Sequence, residues 1–323
     1  MATYKGIKGV KVVTKTADPT ASEADGTVWY NSTSPSALKY AIQSSGAWAS
    51  GNPMNTARVG SLGAGTQTAA NITFGSTPAD TANSETWDGT SWTEGNNATT
   101  ARARLSGCGT STACLYAGGA VGGTDSALTE VYDGTSWTEV GDLQLARQTK
   151  MGCVGTSTAA ISFAGGGAIP AQSVNEIWDG TSWTEGANLN TARRGVAPLG
   201  TVNTAAICAG GAPYATEQWD GTSWSEINDF TTPRAYLAGA GAVTSGLVFG
   251  GAGVLTEFYD GTSWTEVADL ATGRDQGGGA GGAAGGTAAI AMGGDKPSGS
   301  PVITDLTEVW NDPTYTIKTV TIS

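Results

Sequence analysis

Five times in this chain an aromatic residue is followed by Asp-Gly, two hydroxyl residues and a tryptophan. The first aromatics are Trp87, Tyr132, Trp178, Trp219 and Tyr259, and the tryptophans that follow are Trp92, Trp137, Trp183, Trp224 and Trp264. An Asp beside two hydroxyls and an indole plane suits a sugar site, with Trp stacked on a pyranose face. It suits calcium poorly, because that ion takes about six to eight oxygen ligands and no D-x-D-x-D pattern appears. Two further charges recur. An Arg stands upstream in each unit, at Arg58, Arg102, Arg147, Arg193, Arg234 and Arg274. A Glu stands two residues before each aromatic, at Glu85, Glu130, Glu176, Glu217, Glu257 and Glu308. Guanidinium forks match carboxylates, so six Arg–Glu pairs are the preferred reading; a ring of six anion sites for a charged glycan is the alternative. Paired carboxylates can also run glycosidase chemistry. Almost every acid here belongs to the repeat, however, and a catalytic pair should break it. The chain has no histidine, which removes the usual general base, the Ser-His-Asp arrangement and imidazole metal sites. No glycine-rich phosphate loop opens a helix. No catalytic residue, metal or cofactor is expected, and the chain reads as a non-enzyme.

A motif needed five times belongs to architecture or to a multivalent surface, so the elements that carry it come next. The first aromatics are spaced by 45, 46, 41 and 40 residues, and a degenerate sixth copy puts Trp310 in that place, 51 residues further on. Each unit reads as four strands. Strand a is a Gly/Ala/Cys run after the Arg. Strand b is an apolar run ending in a glycine pair. Strand c ends on the aromatic, and strand d carries the Trp. Asp-Gly is hairpin chemistry, since Gly accepts positive φ and the Asp carboxylate can cap the following N–H groups. Four strands in roughly 40 to 50 residues make a propeller blade, whose innermost strands converge on an axis and must be small.

The glycine pair, aromatic and Trp together resemble the kelch repeat. That resemblance implies an all-β, six-bladed propeller with four-stranded antiparallel blades over residues 47–323, preceded by a β arm over residues 1–46. It also implies that the aromatic and the Trp pack between neighbouring blades. A seventh, partial blade is also compatible with the N-terminal hairpin. Gly75-Ser76 and the NDPTY copy depart from the pattern, so the first and last blades should be least regular. Two segments compete to close the last blade: the strand around Trp48 and the C-terminal strand with Tyr315. The C-terminal one is favoured, with Trp48 as a bridge.

Up-and-down strands place the a–b and c–d turns at one end and the b–c and d–a segments at the other. The first set is monotonous. The b–c segments vary, with 8, 10, 9, 5, 5 and 13 residues between the glycine pair and the repeated Glu. Recognition on a rigid scaffold usually sits in variable loops. Asp125, Pro170, Gln172, Tyr214 and Lys296 are therefore the candidate ligand or host contacts.

The net charge of −12 makes the chain a poor partner for nucleic acid or anionic lipid. Cys108, Cys114, Cys153 and Cys208 form no CxxC and should be free and buried. No run reaches the length of a membrane-spanning helix, and the opening MATYKGIKGV has no apolar signal core. Residues 1–46 are basic, with Lys5, Lys8 and Lys11, and carry a hairpin whose Trp29, Tyr30 and Tyr40 are expected to form one apolar face. The segment ADGTVWYNSTSPSALKY followed by GAW resembles a module of bacteriophage fibre and appendage proteins. DGTSWTE arrays behind such a module resemble structural proteins of marine tailed phages, notably cyanophages. This implies a virion protein made in the host cytoplasm without a signal peptide. Its arm would meet other virion proteins, as a homotrimer, and its propeller would meet a host surface glycan or protein. A free lectin-like propeller is the alternative, and a polysaccharide depolymerase the third reading.

Overall fold

The computed structural model describes residues 12–19, 28–33, 35–43, 46–251, 253–282, 286–296, 302–312 and 315–320; for residues 41–43 and 315–316 it describes the backbone alone. The described residues contain no α-helix. The chain forms two compact units, Ala47–Asn311 and a smaller one made of Met1–Gly46 with Asp312–Ser323. The segment 312–323, expected in the propeller, therefore belongs with the N-terminal residues.

The larger unit holds six four-stranded antiparallel sheets, each ordered a-b-c-d. In chain order, strand a of sheets 1 to 6 is Gly63–Thr66, Ser106–Gly109, Gly152–Gly155, Ala197–Val202, Leu237–Ala242 and Gly278–Ala280. Each strand a lies beside that of the next sheet, and the sixth lies beside the first. The architecture is all-β and propeller-like. Glycine permits this crowding: a Cβ on Gly239 would stand 2.5 Å from the Pro198 carbonyl oxygen, and one on Gly279 would stand 2.9 Å from that of Gly239.

In sheets 1 to 5 the strand c aromatic stands opposite the strand d Trp, as in Trp87 with Trp92 and Trp178 with Trp183. In sheet 6 the partner of Trp310 is Trp48, on the strand Ala47–Gly51. The expectation that the Tyr315 strand closes this sheet is corrected, because Tyr315–Thr319 pairs with Ala37–Gln43 in the smaller unit. The physical reason is the indole. Trp48 Nε1 donates to Thr256 Oγ1 of sheet 5 at 3.0 Å. Trp183 reaches Thr129 of sheet 2 in the same way at 3.0 Å, and Trp92 reaches Thr307 of sheet 6 at 2.9 Å. The NDP sequence after Trp310 also lacks the Asp-Gly hairpin that turns the other c strands into d.

The core is six copies of one interface. Each apolar cluster lies between successive sheets, the last between sheets 6 and 1. Between sheets 3 and 4, Phe163 meets Trp224 edge-on at 4.9 Å, backed by Ile161, Cys208 and Trp219. A buried indole contributes about 2–3 kcal/mol through its area alone, so repeating the Trp repeats the glue. All four cysteines are free and buried.

In the smaller unit Val13–Lys15 runs parallel to Val28–Asn31, which forms a hairpin with Ala37–Gln43. Trp29 pairs with Lys39, whereas Tyr30 pairs with Leu38 and Tyr40 with Val28. Side chains alternate along a strand, so Trp29 points away from the face shared by Tyr30 and Tyr40, and the expected single apolar face is corrected. Trp29 is buried and donates to Asp18 Oδ1 at 3.2 Å. Lys39, at 2.7 Å, does most to hold the Asp18 carboxyl below its ordinary range. Lys5, Lys8 and Lys11 lie outside the described residues.

Candidate functional site

The repeated charges are consumed by the scaffold. In sheet 2, Arg102 donates to the Gly118 carbonyl at 2.9 Å, to the Leu128 carbonyl and to Glu130 Oε1 at 3.0 Å. Glu130 Oε2 accepts the Thr99 N–H at 2.7 Å. One ion pair thus ties the end of strand b, the start of strand c and the incoming d–a segment. The same pair recurs as Arg58–Glu85, Arg147–Glu176, Arg193–Glu217, Arg234–Glu257 and Arg274–Glu308, all buried. Burial lowers the pKa of Arg102, Arg147 and Arg274, and the partner carboxylate opposes that shift. These guanidiniums face protein, so the alternative of six anion sites falls.

The DGTSW words are structural in the same way. Asp133 Oδ1 accepts the Thr135 and Ser136 N–H groups at 2.8 and 2.7 Å, and Oδ2 accepts the Ser136 hydroxyl at 3.0 Å. Asp88, Asp179, Asp220 and Asp260 repeat this cap. The capping N–H groups, the serine's foremost, hold all five carboxyls below their ordinary range. Trp137 and Trp264 donate to the Asn96 and Asn228 carbonyls at 2.9 Å. The five d-strand tryptophans are buried, so none offers a free stacking face.

Eight arginines are present, and the repeat takes six. The remaining two, Arg104 and Arg194, line one polar basin of about 380 Å³ with Gln148, Thr149, Tyr236 and Gln276. The basin is formed by d–a residues and by Gly167 of a b–c segment, so it lies at the variable end. Beneath it runs a circuit of backbone hydrogen bonds. Gly60 N–H donates to Gln276 O, Gln276 to Tyr236 O, Tyr236 to Gly195 O, and Gly195 to Thr149 O. Across the Thr149–Lys150 peptide, Lys150 N–H then donates to Arg104 O, and Arg104 N–H to Gly60 O. Every sheet contributes. The position two residues after each repeat Arg is left-handed throughout, with φ from 53° at Gln276 to 76° at Gly60. Glycine fills it twice. Arg104, Thr149, Tyr236 and Gln276 fill it at a strain of about 1–2 kcal/mol each.

Lys150 is left-handed too, and its side chain crosses the ring. Its Nζ donates to Leu237 O at 2.9 Å and Gly277 O at 2.6 Å, at the starts of sheets 5 and 6. It is fully buried, and burial pushes its pKa down to about 7 against the pull of the Asp275 charge. Asp275 is raised, chiefly by its own burial. From the other end a channel of about 230 Å³ enters between the a strands, walled by Gly, Ala, Thr, Val and Cys with Leu62 and Pro198, and without a carboxylate among the described residues.

The loop residues singled out in the sequence do not converge. Asp125 Oδ1 accepts from Gln148 Nε2 at 2.7 Å and so touches the basin indirectly. It also receives the Ala168 and Ile169 N–H groups and staples two neighbouring b–c segments. Gln172 turns back on the Pro170 carbonyl at 2.7 Å. Tyr214 is exposed, and Lys296 sits on a short hairpin with Val302–Ile303. Sequence reasoning missed Arg104, Arg194 and Lys150. Their signal was available as charges that break the repeat, in ARAR, ARRG and RQTK.

No protein-family model matches the chain, and no curated protein matches it. Among solved structures, one titled "Structure of YjhT" aligns with a TM-score of 0.63 over 82% of this chain and 99% of that one, at 13% identity. At this identity the likeness is one of fold alone.

Proposed function

We propose that this chain is a non-enzymatic structural protein of a tailed-phage virion, a tail fibre, appendage or capsid decoration. Its larger unit is a six-bladed kelch-like β-propeller whose variable end recognises the host surface or shields the particle. The six first strands, each beside the next and the last beside the first, support the six-blade reading. The observation that carries the function is the contrast between ends. Five near-identical Asp caps fix the c–d turns, while the b–c segments differ in length and sequence at the opposite end. Variation on a rigid frame is how binding surfaces diversify. The smaller unit is the attachment module, meeting other virion proteins and assembling as a homotrimer.

Immunogold labelling of purified particles tests the location: label on projecting appendages is expected, and absence from the particle overturns the reading. Purified protein should also compete with the phage for host adsorption. Release of reducing ends from host polysaccharide would replace recognition by depolymerase activity.

The lectin-like alternative is favoured by one observation, the polar basin at the variable end. Binding of a saccharide by residues 47–311 without the smaller unit would support it.

A further inference from the structure

We infer that the polar basin at the variable end of the sheet ring binds a saccharide bearing an oxyanion, a carboxylate or a sulfate, with Arg104 and Arg194 as the anion clamp. The inference deepens the recognition role proposed above and uses the same end of the molecule.

The first support is the break in symmetry. Six arginines are buried against six glutamates, and the two that remain come from different sheets into one basin. Neither makes an ion pair among the described residues, although the chain as a whole carries −12. Within the acidic larger unit, two unpaired guanidiniums gathered in one place concentrate the attraction for an anion there.

The second support is that the clamp is held in place. Arg104 gives one N–H to Gln148 Oε1 at 3.2 Å and keeps its other donors. Gln148 is itself buried and tied to Asp125 at 2.7 Å and to the Gly123 carbonyl at 3.2 Å. Asp125 is therefore a positioning residue acting through Gln148. Arg194 lies across Gly166, where a Cβ would come within 3.3 Å of its Cδ. Among the described residues its guanidinium donates to no fixed partner.

The third support is the rest of the lining. Thr149, Gln276 and Tyr236 supply hydroxyl and amide partners and one ring face, the equipment for a hydroxylated body beside the anion. They are held at left-handed backbone positions that a purely structural ring fills with glycine, as at Gly60 and Gly195. Strain retained in a binding wall is the usual trade for placing side chains. A basin of about 380 Å³ has room for one sugar residue with its substituent.

Calorimetric titration of the intact protein with an oligogalacturonide, a sulfated carrageenan oligosaccharide and a neutral agaro-oligosaccharide tests the assignment. One of the two charged ligands should bind, more weakly as salt rises, and the neutral one should not. Which charged ligand binds separates carboxylate from sulfate. Arg104→Gly and Arg194→Gln should each weaken binding about tenfold or more, the worth of one charge-assisted contact. Arg104→Gly keeps the left-handed backbone, so it should fold, as its melting curve will report. Lys318→Gln, an exposed cation removed from the smaller unit, should leave affinity unchanged. Equal binding of the neutral ligand, wild-type affinity in both arginine variants, or no binding of either charged ligand would overturn the inference. If charged ligands fail while the protein still blocks phage adsorption, this inference falls and the recognition role stands. Arginine-dependent binding by a protein absent from virions supports the site and removes the virion role.

Discussion

The two ends of the sheet ring follow opposite rules. At one end the same Asp-Gly cap is written five times with the same hydrogen bonds, and little distinguishes one blade from the next. At the other end each b–c segment is different, and the arginines divide into six that are buried in pairs and two that are not. Repetition marks where the sheets must dock. Departure from it marks where something other than docking is selected. A residue type alone says little, since Arg102 and Arg104 are two positions apart at the same end, one locked to Glu130 and the other facing the basin.

The sharpest test of that division removes part of the scaffold. Glu130→Ala leaves the Arg102 guanidinium buried without its carboxylate and should cost about 3–5 kcal/mol in urea unfolding. A loss below 1 kcal/mol would mean that the pairs do not carry the sheets. Losing the ring-closing strand should be at least as severe. A chain of residues 47–311 should unfold cooperatively, and one of residues 52–311, without Trp48, should not.

Lys150 gives the next effect through pH. Its folded pKa of about 7 lies below the unfolded value of 10.5. Between those values the unfolded chain binds the proton and the folded one does not, so stability rises with pH at about 1 kcal/mol per pH unit. Below pH 7 both states are protonated and the contribution is flat. The buried thiols Cys114, Cys153 and Cys208, raised by burial, act in the opposite sense above pH 9. The comparison must therefore be wild type against Lys150→Met, and that difference should climb from pH 7 to pH 10. A difference independent of pH would mean that the ammonium is not held as described.

The unpaired arginines should barely matter to stability. Arg104→Gly should stabilise the fold by about 1 kcal/mol, because glycine takes φ of 60° without strain. Arg194→Gln should change it by less than about 0.5 kcal/mol. A large loss in either variant would move these residues into the scaffold class.

Much of the frame was legible because it is local or copied. The Asp caps reach two and three residues along the chain, and the Arg–Glu pairs recur at a similar offset in every unit. The basin was not legible in the same way. Loop variability pointed to the end of the ring that carries the basin, but to Pro170, Gln172, Tyr214 and Lys296, none of which lines it. Of the five loop candidates only Asp125 is connected to the basin, through Gln148. Most of the residues that line it sit beside the repeat Arg, where the eye reads motif, and their common property appears only when five d–a segments converge.

The chain by itself determined the strands, the turns, the pairing of its repeated charges and the small residues of the inner strands. These follow from side-chain alternation, from hairpin chemistry and from a unit written six times. Tertiary structure decided which strand closes sheet 6, where Lys150 crosses the ring and that Arg104 and Arg194 share one basin. Each of those depends on groups from distant parts of the chain brought together at a common axis, where closure geometry selects partners that no local pattern specifies.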